Sequence, residues 1–220
     1  MMRKKPRPPA TKAARPRNAA ATREAILQSA LTAFAERGYD GAGVREIAHT
    51  AGVTAVLVNR YFGSKERLFA AAVEAMFANK GLFGGDAATL AQRLAALVVT
   101  RSDADGQPNA PLLLLLRSAP NPRAAAILRD HIARHCEQPL KSVMRGPKRG
   151  ERAAIILALI VGLQFFHKVI GNKALAEANG KSLAGDLKLM LERLIDISDC
   201  SESPRNHERQ VPLSARPDAR

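Results

Sequence analysis

The chain has 220 residues, 46% of them hydrophobic, and a formal net charge of +14. It can therefore bury a substantial core, which excludes a globally disordered protein. Its two cysteines are too few for a disulfide-stabilised secreted scaffold and favour a reducing, cytoplasmic setting.

The N-terminal arm, residues 1–18, is rich in Pro, Lys and Arg and is predicted to be disordered. Residues 1–20 contain seven basic side chains and no acidic one, so half of the net charge lies here. Such an arm suggests a polyanionic partner, either nucleic acid or an acidic membrane surface. A solvated tail that keeps the protein soluble is the alternative, and both remain open. No apolar stretch follows the basic residues, so no signal peptide is expected.

Three helices and the start of a fourth are predicted after the arm, because apolar residues recur on one face. Gly38 ends the first of these helices and Gly52 ends the second, which is much shorter. Thr54 is a suitable N-cap for the third, and Ser64 begins the fourth. The first three predicted helices cover about residues 18–37, 44–51 and 55–62.

The rest of the chain also has helical spacing and shows no strand-like alternation. Residues 150–171 form the most hydrophobic helix. Its most apolar stretch, Ala153–Leu163, is followed by Gln164, His167 and Lys168, so it is too short and too polar at its end to span a bilayer. The predicted fold class is therefore all-α. Helices are expected at 86–101, at 111–119, from Pro122 past His131 with a kink or break near Pro139, at 150–171, and from an N-cap at Ser182 onward.

The second and third helices are joined by the short turn AGVT, and a glycine in such a turn is typical of a helix-turn-helix. In this motif the second helix of the pair lies in the major groove of DNA. Val58 and Phe62 are spaced to face inward with Val53, which leaves Ala55, Val56, Leu57, Asn59, Arg60 and Tyr61 outside. Apolar side chains suit thymine methyl groups, and Asn or Arg can hydrogen-bond base edges. The pattern therefore predicts DNA binding through the third helix.

Residues 22–69 carry three short signatures in order: F-x-x-x-G-Y, V-x-x-I-A-x-x-A-G-V and Y-F-x-S-K-x-x-L. With these signatures the segment resembles the N-terminal DNA-binding domain of the TetR/AcrR family of transcriptional regulators. The resemblance implies that a larger all-helical domain follows, which dimerises and binds a small molecule.

Asn59 stands where the family usually has a Tyr that contacts phosphate, and Ala42-Gly43 stands where a Thr or Ser often caps the second helix. Leu57 replaces a small or polar residue, so the operator sequence of a relative does not transfer. The DNA-contacting residues expected from the motif and the resemblance are Arg45, Thr54, Ala55, Val56, Leu57, Asn59, Arg60, Tyr61 and Lys65.

His131 and His135 are four residues apart on one predicted helix, a spacing that permits metal ligation. No third ligand at a fixed spacing accompanies them, so the pair is interpreted as surface or pocket histidines and no metal is predicted. No nucleophile occurs with a base in a motif context, so neither an enzyme nor a cofactor is expected.

An apolar pocket with a few polar anchors is expected in the C-terminal domain. Its occupant is predicted to be hydrophobic or amphipathic, and a packed core or dimer face is the alternative for these residues. The expected pocket residues are Leu113, Leu116, Ile127, His131, Gln164, Phe165 and His167.

The last two long helices are expected to form a four-helix, two-fold dimer interface, because each has more apolar surface than a monomer needs. The predicted interface stripe of the first helix is Ile156, Leu159, Ile160, Leu163, His167 and Ile170. That of the last helix is Leu187, Met190, Leu191 and Leu194.

The expected organisation is an arm at 1–18, a DNA-binding domain at 19–80, an effector-binding and dimerisation domain at 81–197, and a disordered tail at 198–220. The predicted protein is a cytoplasmic, ligand-responsive repressor that binds a pseudo-palindromic operator as a homodimer, without a membrane partner. The alternative is an effector-independent, nucleoid-type DNA-binding protein.

Overall fold

A computed structural model describes residues 15–78, 82–99 and 109–196. Over these residues the secondary structure is helical, apart from one isolated bridge between Arg145 and Asp196. The predicted all-α fold class is therefore confirmed. Most of the predicted arm and the whole predicted tail lie outside the described residues, although the first helix already begins at Arg15.

Two π-helical turns, at Ala133–Glu137 and Phe165–Val169, interrupt the described helices. In chain order the helices are α1 (Arg15–Gly41), α2 (Val44–Thr50), α3 (Ala55–Phe62), α4 (Lys65–Ala78), α5 (Ala87–Val99), α6 (Ala110–Ser118), α7 (Pro122–Ile132), α8 (Gln138–Val143), α9 (Arg149–Gln164), α10 (Lys173–Glu177) and α11 (Gly180–Ile195).

Two hydrophobic clusters hold these helices together. The first cluster joins α1–α4 to α6 and α7, with Phe34, Phe69 and Leu114 among its fully buried side chains. The second joins α5, α8, α9 and α11, with Leu94 and Ile156 at its centre. The helix-turn-helix region therefore packs directly on two helices of the C-terminal half.

Gly38 marks a sharp change of direction near the end of α1. Its backbone has φ 70° and ψ −177°, so the regular helix stops there, as predicted, before helical residues resume up to Gly41. Arg117 of α6 reaches the carbonyls left free by this break, and its Nη1 lies 2.6 Å from the oxygens of both Ala35 and Glu36. The break in α1 is thus the point at which α6 is anchored.

The predicted kink near Pro139 takes the form of the first π-helical turn. The Gln138 N–H donates to the Ala133 carbonyl, five residues earlier. Because proline has no N–H and its ring crowds the carbonyl four residues before it, a regular α-helix would lose a hydrogen bond and be strained at this position. The wider π turn allows α7 to continue into α8.

A buried arginine fixes the end of the last helix. The Arg152 side chain is 4% exposed, and its Nη1 donates to the Leu194 carbonyl at 2.9 Å. Its Nη2 donates to the Arg145 carbonyl. The last turn of α11 is therefore held against α9 by a charged group that satisfies free carbonyls.

The C-terminal helices differ from the prediction in two respects. The last helix does not begin with Ser182 as its cap, because Asn179 takes that role and its Oδ1 accepts from the Lys181 N–H at 2.9 Å. The helix α10 was not predicted, and Asn172 caps it in the same way, accepting from the Leu175 N–H. An Asn that precedes the helix satisfies its free N–H groups better than a Ser inside it.

The predicted interface stripe of residues 150–171 is corrected at two positions, whereas Leu159, Leu163 and His167 are half-buried and Ile170 is exposed. Ile156 and Ile160 are buried in the second cluster. The large apolar side chains that remain exposed here lie on α9, on the turn that follows it and on α11. This set, here called the α9–α11 face, comprises Ile155, Phe166, Val169, Ile170, Leu189 and Met190.

The segment Arg149–Val169 has the length and mean hydropathy of a membrane span, the one such segment within the described residues, and 22% of it is buried. One such helix is weak evidence for membrane insertion, because core helices of soluble proteins have the same composition. Its large exposed apolar area nevertheless needs a physical explanation.

Candidate nucleic-acid interface

The turn between α2 and α3 is short and closed by backbone hydrogen bonds. The Ala51 N–H donates to the Ile47 carbonyl at 3.0 Å, and the Val53 N–H donates to the Ala48 carbonyl at 2.9 Å. Gly52 adopts φ 68°, a conformation that costs glycine little and reverses the chain directly after α2. The predicted helix-turn-helix is therefore present in its expected form.

Side-chain capping differs between the two helices of the motif. The Thr54 Oγ1 accepts from the Leu57 N–H at 3.4 Å, which confirms Thr54 as the N-cap of α3. Gly43 precedes α2 and offers no side-chain cap, as the departure at Ala42-Gly43 led us to expect. The N-terminus of α3 carries no acidic residue in its first turn, so its positive dipole end is not neutralised locally.

One face of α3 is fixed by burial. Val58 and Phe62 are buried in the first cluster, and Val53, Ala55 and Tyr61 pack against it. These contacts set the rotation of the helix, so they decide which of its side chains point away from the protein. Ala55 and Tyr61, both predicted DNA contacts, are half-buried.

The opposite face of α3 brings an apolar and two polar side chains together at the surface. Val56 is 78% exposed, and Asn59 and Arg60, three and four residues later, are also exposed. Residues at this spacing share one helix face. Leu57 beside them is half-buried. An exposed valine next to an amide and a guanidinium provides both an apolar contact for a methyl group and donors for base edges.

Two further predicted contacts lie outside α3, and their surroundings differ. Arg45 of α2 is exposed. Lys65, at the start of α4, is half-buried, and its Nζ lies 3.4 Å from the Asp40 carbonyl and 4.8 Å from the centre of the Tyr39 ring. Its ammonium is therefore already held within the domain.

Acidic charge next to this surface is paired. Glu46, in the first turn of α2, forms an ion pair with Arg37. The hydrogen bond from Arg37 lowers the pKa of the Glu46 carboxyl, which therefore stays ionised and paired at neutral pH. The pairing reduces the repulsion that an isolated carboxylate would exert on a phosphate backbone.

The predicted pocket residues fall in two parts of the structure. Leu113, Leu116, Ile127 and His131 lie on α6 and α7, whose buried residues belong to the first cluster. The other three, Gln164, Phe165 and His167, lie at the end of α9, next to α5. The Gln164 Nε2 donates to the Leu97 carbonyl, and the His167 Nδ1 lies 3.4 Å from the Val98 oxygen. Phe165 is half-buried.

A cavity of about 130 Å³ occurs beside this second group. His167 lines it together with apolar residues of α5, α10 and α11, among them Val99, Leu175 and Leu183. The cavity is smaller than the roughly 300–1,000 Å³ of typical ligand pockets. Of the predicted pocket residues, His167 is the one whose side chain reaches it.

A further polar cluster joins α4 to α7. The Glu74 Oε2 lies 3.0 Å from the His131 Nδ1 and 2.9 Å from the His135 Nε2. Burial lowers the pKa of His131, which favours its neutral form. Burial also raises the pKa of the neighbouring Cys136 thiol to about 12, so that it stays protonated. Sequence spacing indicated the two histidines but not Glu74, which is 61 residues from His135 along the chain.

Comparison with protein-family models gives two matches. Residues 26–72 match the model for bacterial regulatory proteins of the tetR family, and residues 88–195 match the model for the tetracyclin repressor-like C-terminal domain. Together they cover well over half of the chain. A search of curated proteins found no match.

Solved structures show the same fold over most of the chain. A TetR-family regulator from Streptomyces coelicolor A3 is 27% identical, with a TM-score of 0.51, and the alignment covers 80% of this chain and 95% of that one. A transcriptional regulator from Rhodococcus sp. Rha1 is 25% identical, with 78% and 95% covered and a TM-score of 0.57. AibR, solved in complex with isovaleryl coenzyme A and operator DNA, is 17% identical, with 77% and 97% covered and a TM-score of 0.52.

Proposed function

The chain belongs to the TetR family of bacterial DNA-binding transcriptional regulators, and we propose that it is a ligand-responsive repressor that binds a pseudo-palindromic operator as a homodimer. The observation that carries this proposal is the exposed face of α3, where Val56, Asn59 and Arg60 lie together on a helix whose other side is fixed in the core. An exposed apolar residue costs solubility in an isolated protein, but it has a use against a thymine methyl group.

We assign base reading to the exposed face of α3 and phosphate contact to its surroundings. Val56, Asn59 and Arg60 would face the major groove, and Ala55, Leu57 and Tyr61 would border it. Thr54 and the N-terminus of α3 suit a phosphate. The remaining phosphate contacts proposed are Arg45 and, once released from the Asp40 carbonyl, Lys65.

Arg60→Ala is expected to weaken operator binding by about 1–3 kcal/mol and to affect non-specific DNA less, because a base contact is lost. The measurement is a titration of an operator selected from random DNA and of a scrambled duplex, at fixed salt. Arg129→Ala is the matched control, since it removes the same charge from an exposed site on α7. If Arg60→Ala and the double variant Val56→Ala/Leu57→Ala both retain operator affinity, α3 is not the recognition helix.

We propose that the α9–α11 face is the dimer interface. Its exposed residues lie on α9, on the turn that directly follows it and on the adjacent α11, so two copies related by a two-fold axis would form a four-helix contact. This pairing also accounts for the membrane-like composition of Arg149–Val169, because the partner would cover the exposed apolar area. Two recognition helices would then be placed about one DNA turn, roughly 34–36 Å, apart.

We further propose a DNA-binding domain at residues 19–80 and an effector-binding and dimerisation domain at 81–197, in a cytoplasmic protein without catalytic activity. The proposed effector is small and hydrophobic or amphipathic. The apolar lining of the cavity beside His167 supports this class. A relative of the same fold, AibR, has been solved with isovaleryl coenzyme A, an acyl group on a polar carrier.

A panel of small molecules should contain apolar or amphipathic compounds that both stabilise the protein and release operator DNA. A compound releases DNA only if it binds the DNA-incompetent state of the protein more tightly than the DNA-competent state. A coupling free energy of about 1–3 kcal/mol between compound and DNA binding corresponds to roughly 5–150-fold weaker DNA binding. The readouts are thermal stability and operator affinity. Release by polar, charged compounds alone would contradict the apolar pocket, whereas stabilisation without release would contradict the ligand switch.

The alternative function, a nucleoid-type protein that uses DNA as a platform, makes a different prediction. It should protect DNA uniformly in a footprint, whereas a regulator should protect a short, symmetric site. Such a footprint separates the two without knowledge of the effector.

A further inference from the structure

Three side chains that commonly bind metals converge where α4 meets α7. The ligand atoms of Glu74, His131 and His135 all lie within 4.8 Å of one another. Glu74 comes from the helix that follows α3, whereas the two histidines come from the C-terminal half. The structure thus supplies the third ligand that the sequence spacing lacked.

The geometry of the cluster leaves a buried nitrogen without a hydrogen bond. The His131 side chain is 7% exposed, and its Nδ1 lies 3.0 Å from the Glu74 Oε2. Despite this short distance, the buried Nδ1 has no hydrogen-bond partner among the residues that the structure describes. An unpartnered buried nitrogen is costly unless it gains a partner, and an ion bound by both this nitrogen and the carboxylate would supply one.

Ring packing fixes the two imidazoles. The His131 and His135 rings are stacked with centroids 5.8 Å apart, and the Phe77 ring stacks on the other side of His135 at 5.8 Å. These contacts limit ring rotation and hold both imidazoles beside Glu74. Pre-organised ligands of this kind reduce the entropy lost when an ion binds.

We propose that Glu74, His131 and His135 form a binding site for a divalent transition-metal ion of the Zn²⁺ class, which links α4 to α7. Two imidazole nitrogens and one carboxylate oxygen suit Zn²⁺, Co²⁺ or Ni²⁺ better than Mg²⁺ or Ca²⁺, which prefer oxygen ligands. Tetrahedral ligands of Zn²⁺ lie about 3.4 Å apart, given bond lengths near 2.1 Å. The observed separations therefore require only small side-chain movements.

The remaining neighbours are compatible with this site. The Arg134 Nη1 lies 3.9 Å from the Glu74 Oε2, but its side chain is largely exposed and can turn toward solvent when a cation binds. Glu74 is 45% exposed, which leaves a route for the ion and a fourth position for water. The site is thus of the open, three-ligand type.

The position of the site gives it a regulatory consequence. α4 follows α3 directly and packs on α1, so an ion that ties α4 to α7 restrains the DNA-binding helices relative to the C-terminal half. Any effect of the ion on operator affinity rests on the proposed function. Metal binding itself does not, and it is tested separately without DNA.

The experiment titrates the untagged, metal-free, full-length protein with ZnCl₂ by calorimetry and with CoCl₂ by visible absorption. The wild type is expected to bind one ion per chain and to give the d–d bands of low-coordinate Co²⁺. Glu74→Gln and His135→Gln should each weaken this binding at least about 10-fold, because even outer-shell changes cost that much. His49→Gln, which alters an exposed histidine on α2, is the matched control and should bind like the wild type.

Both test positions are partly exposed, so the variants should keep the native far-UV circular dichroism of the metal-free protein. Weaker metal binding in Glu74→Gln and His135→Gln, with wild-type metal binding in His49→Gln, supports the site. Equal affinity and stoichiometry in the wild type and both variants would overturn it. So would an equal loss in His49→Gln, since the ion would then bind adventitiously at exposed histidines.

Discussion

Gly38→Ala is expected to destabilise the protein by at least about 3 kcal/mol. The backbone at Gly38, with φ 70° and ψ −177°, lies in a region that is essentially restricted to glycine, and another residue there costs about 1–3 kcal/mol in strain alone. A Cβ at this position would also overlap the Arg117 carbonyl group, with the carbonyl carbon 2.8 Å away. We expect the backbone strain and the steric overlap to add, because the protein can relieve neither of them by moving a side chain alone.

The overlap cannot be relieved cheaply, because the same residue anchors the two segments. The Arg117 guanidinium donates to the carbonyls of Ala35 and Glu36, just before Gly38. A shift of α6 that made room for a methyl group would lengthen both hydrogen bonds. It would also disturb Leu114, which is fully buried in the first cluster.

Gly52→Ala provides the matched control. Gly52 has φ 68°, but a Cβ there would meet no atom within 4 Å. It should therefore cost only the left-handed conformation, about 1–2 kcal/mol. Urea denaturation at one fixed protein concentration measures both variants, since dimerisation would make stability depend on concentration. If Gly38→Ala is no less stable than Gly52→Ala, the close approach of α6 to α1 does not exist in solution.

The helix-turn-helix was predictable from the sequence because each of its local signals acts within a few residues. Gly52 allows the turn, Thr54 caps α3, and Val58 and Phe62 repeat with the helical period. Local conformation and burial agree here, so a short segment determines its own structure. The same short range explains why Val56, Asn59 and Arg60 could be placed on the exposed face of α3, although Ala55, Leu57 and Tyr61, also predicted outside, are half-buried.

The exposed side of α9 was not predictable in this way. This helix is apolar on nearly all sides, so periodicity does not tell which side faces the core and which faces solvent. The prediction placed Ile156 and Ile160 at an interface, whereas packing against α5 and α11 buries them and leaves Ile155 outside. Glu74 was missed for a related reason, because tertiary packing alone brings it to the histidines.

A charged substitution in the α9–α11 face is expected to convert the dimer into monomers. The double variant Ile155→Asp/Met190→Asp places one carboxylate on each helix, and two-fold symmetry places four in each interface. Burying an unpaired charge costs several kcal/mol, so the dimer dissociation constant should rise at least about 100-fold. The measurement is sedimentation at micromolar protein concentration.

Operator binding should fall with the dimer, although neither substituted residue lies near α3. A dimer gains affinity because binding at one half-site brings the second recognition helix to the other half-site at high effective concentration, a gain of roughly 10²–10⁴-fold. A monomer loses that gain but keeps its contacts to a single half-site. The double variant should therefore bind a full operator and an isolated half-site with similar affinity, whereas the wild type should prefer the full operator.

Val56→Asp is the control that distinguishes the loss of dimerisation from the effect of introducing an aspartate at an exposed apolar position. It introduces the same side chain at an exposed apolar position, but on α3 rather than on the α9–α11 face. It should remain a dimer in sedimentation and lose affinity for both the full operator and the half-site, because a carboxylate would approach the DNA. A wild-type chain that sediments as a monomer at micromolar concentration, or a double variant that stays dimeric, would show that this face has another occupant.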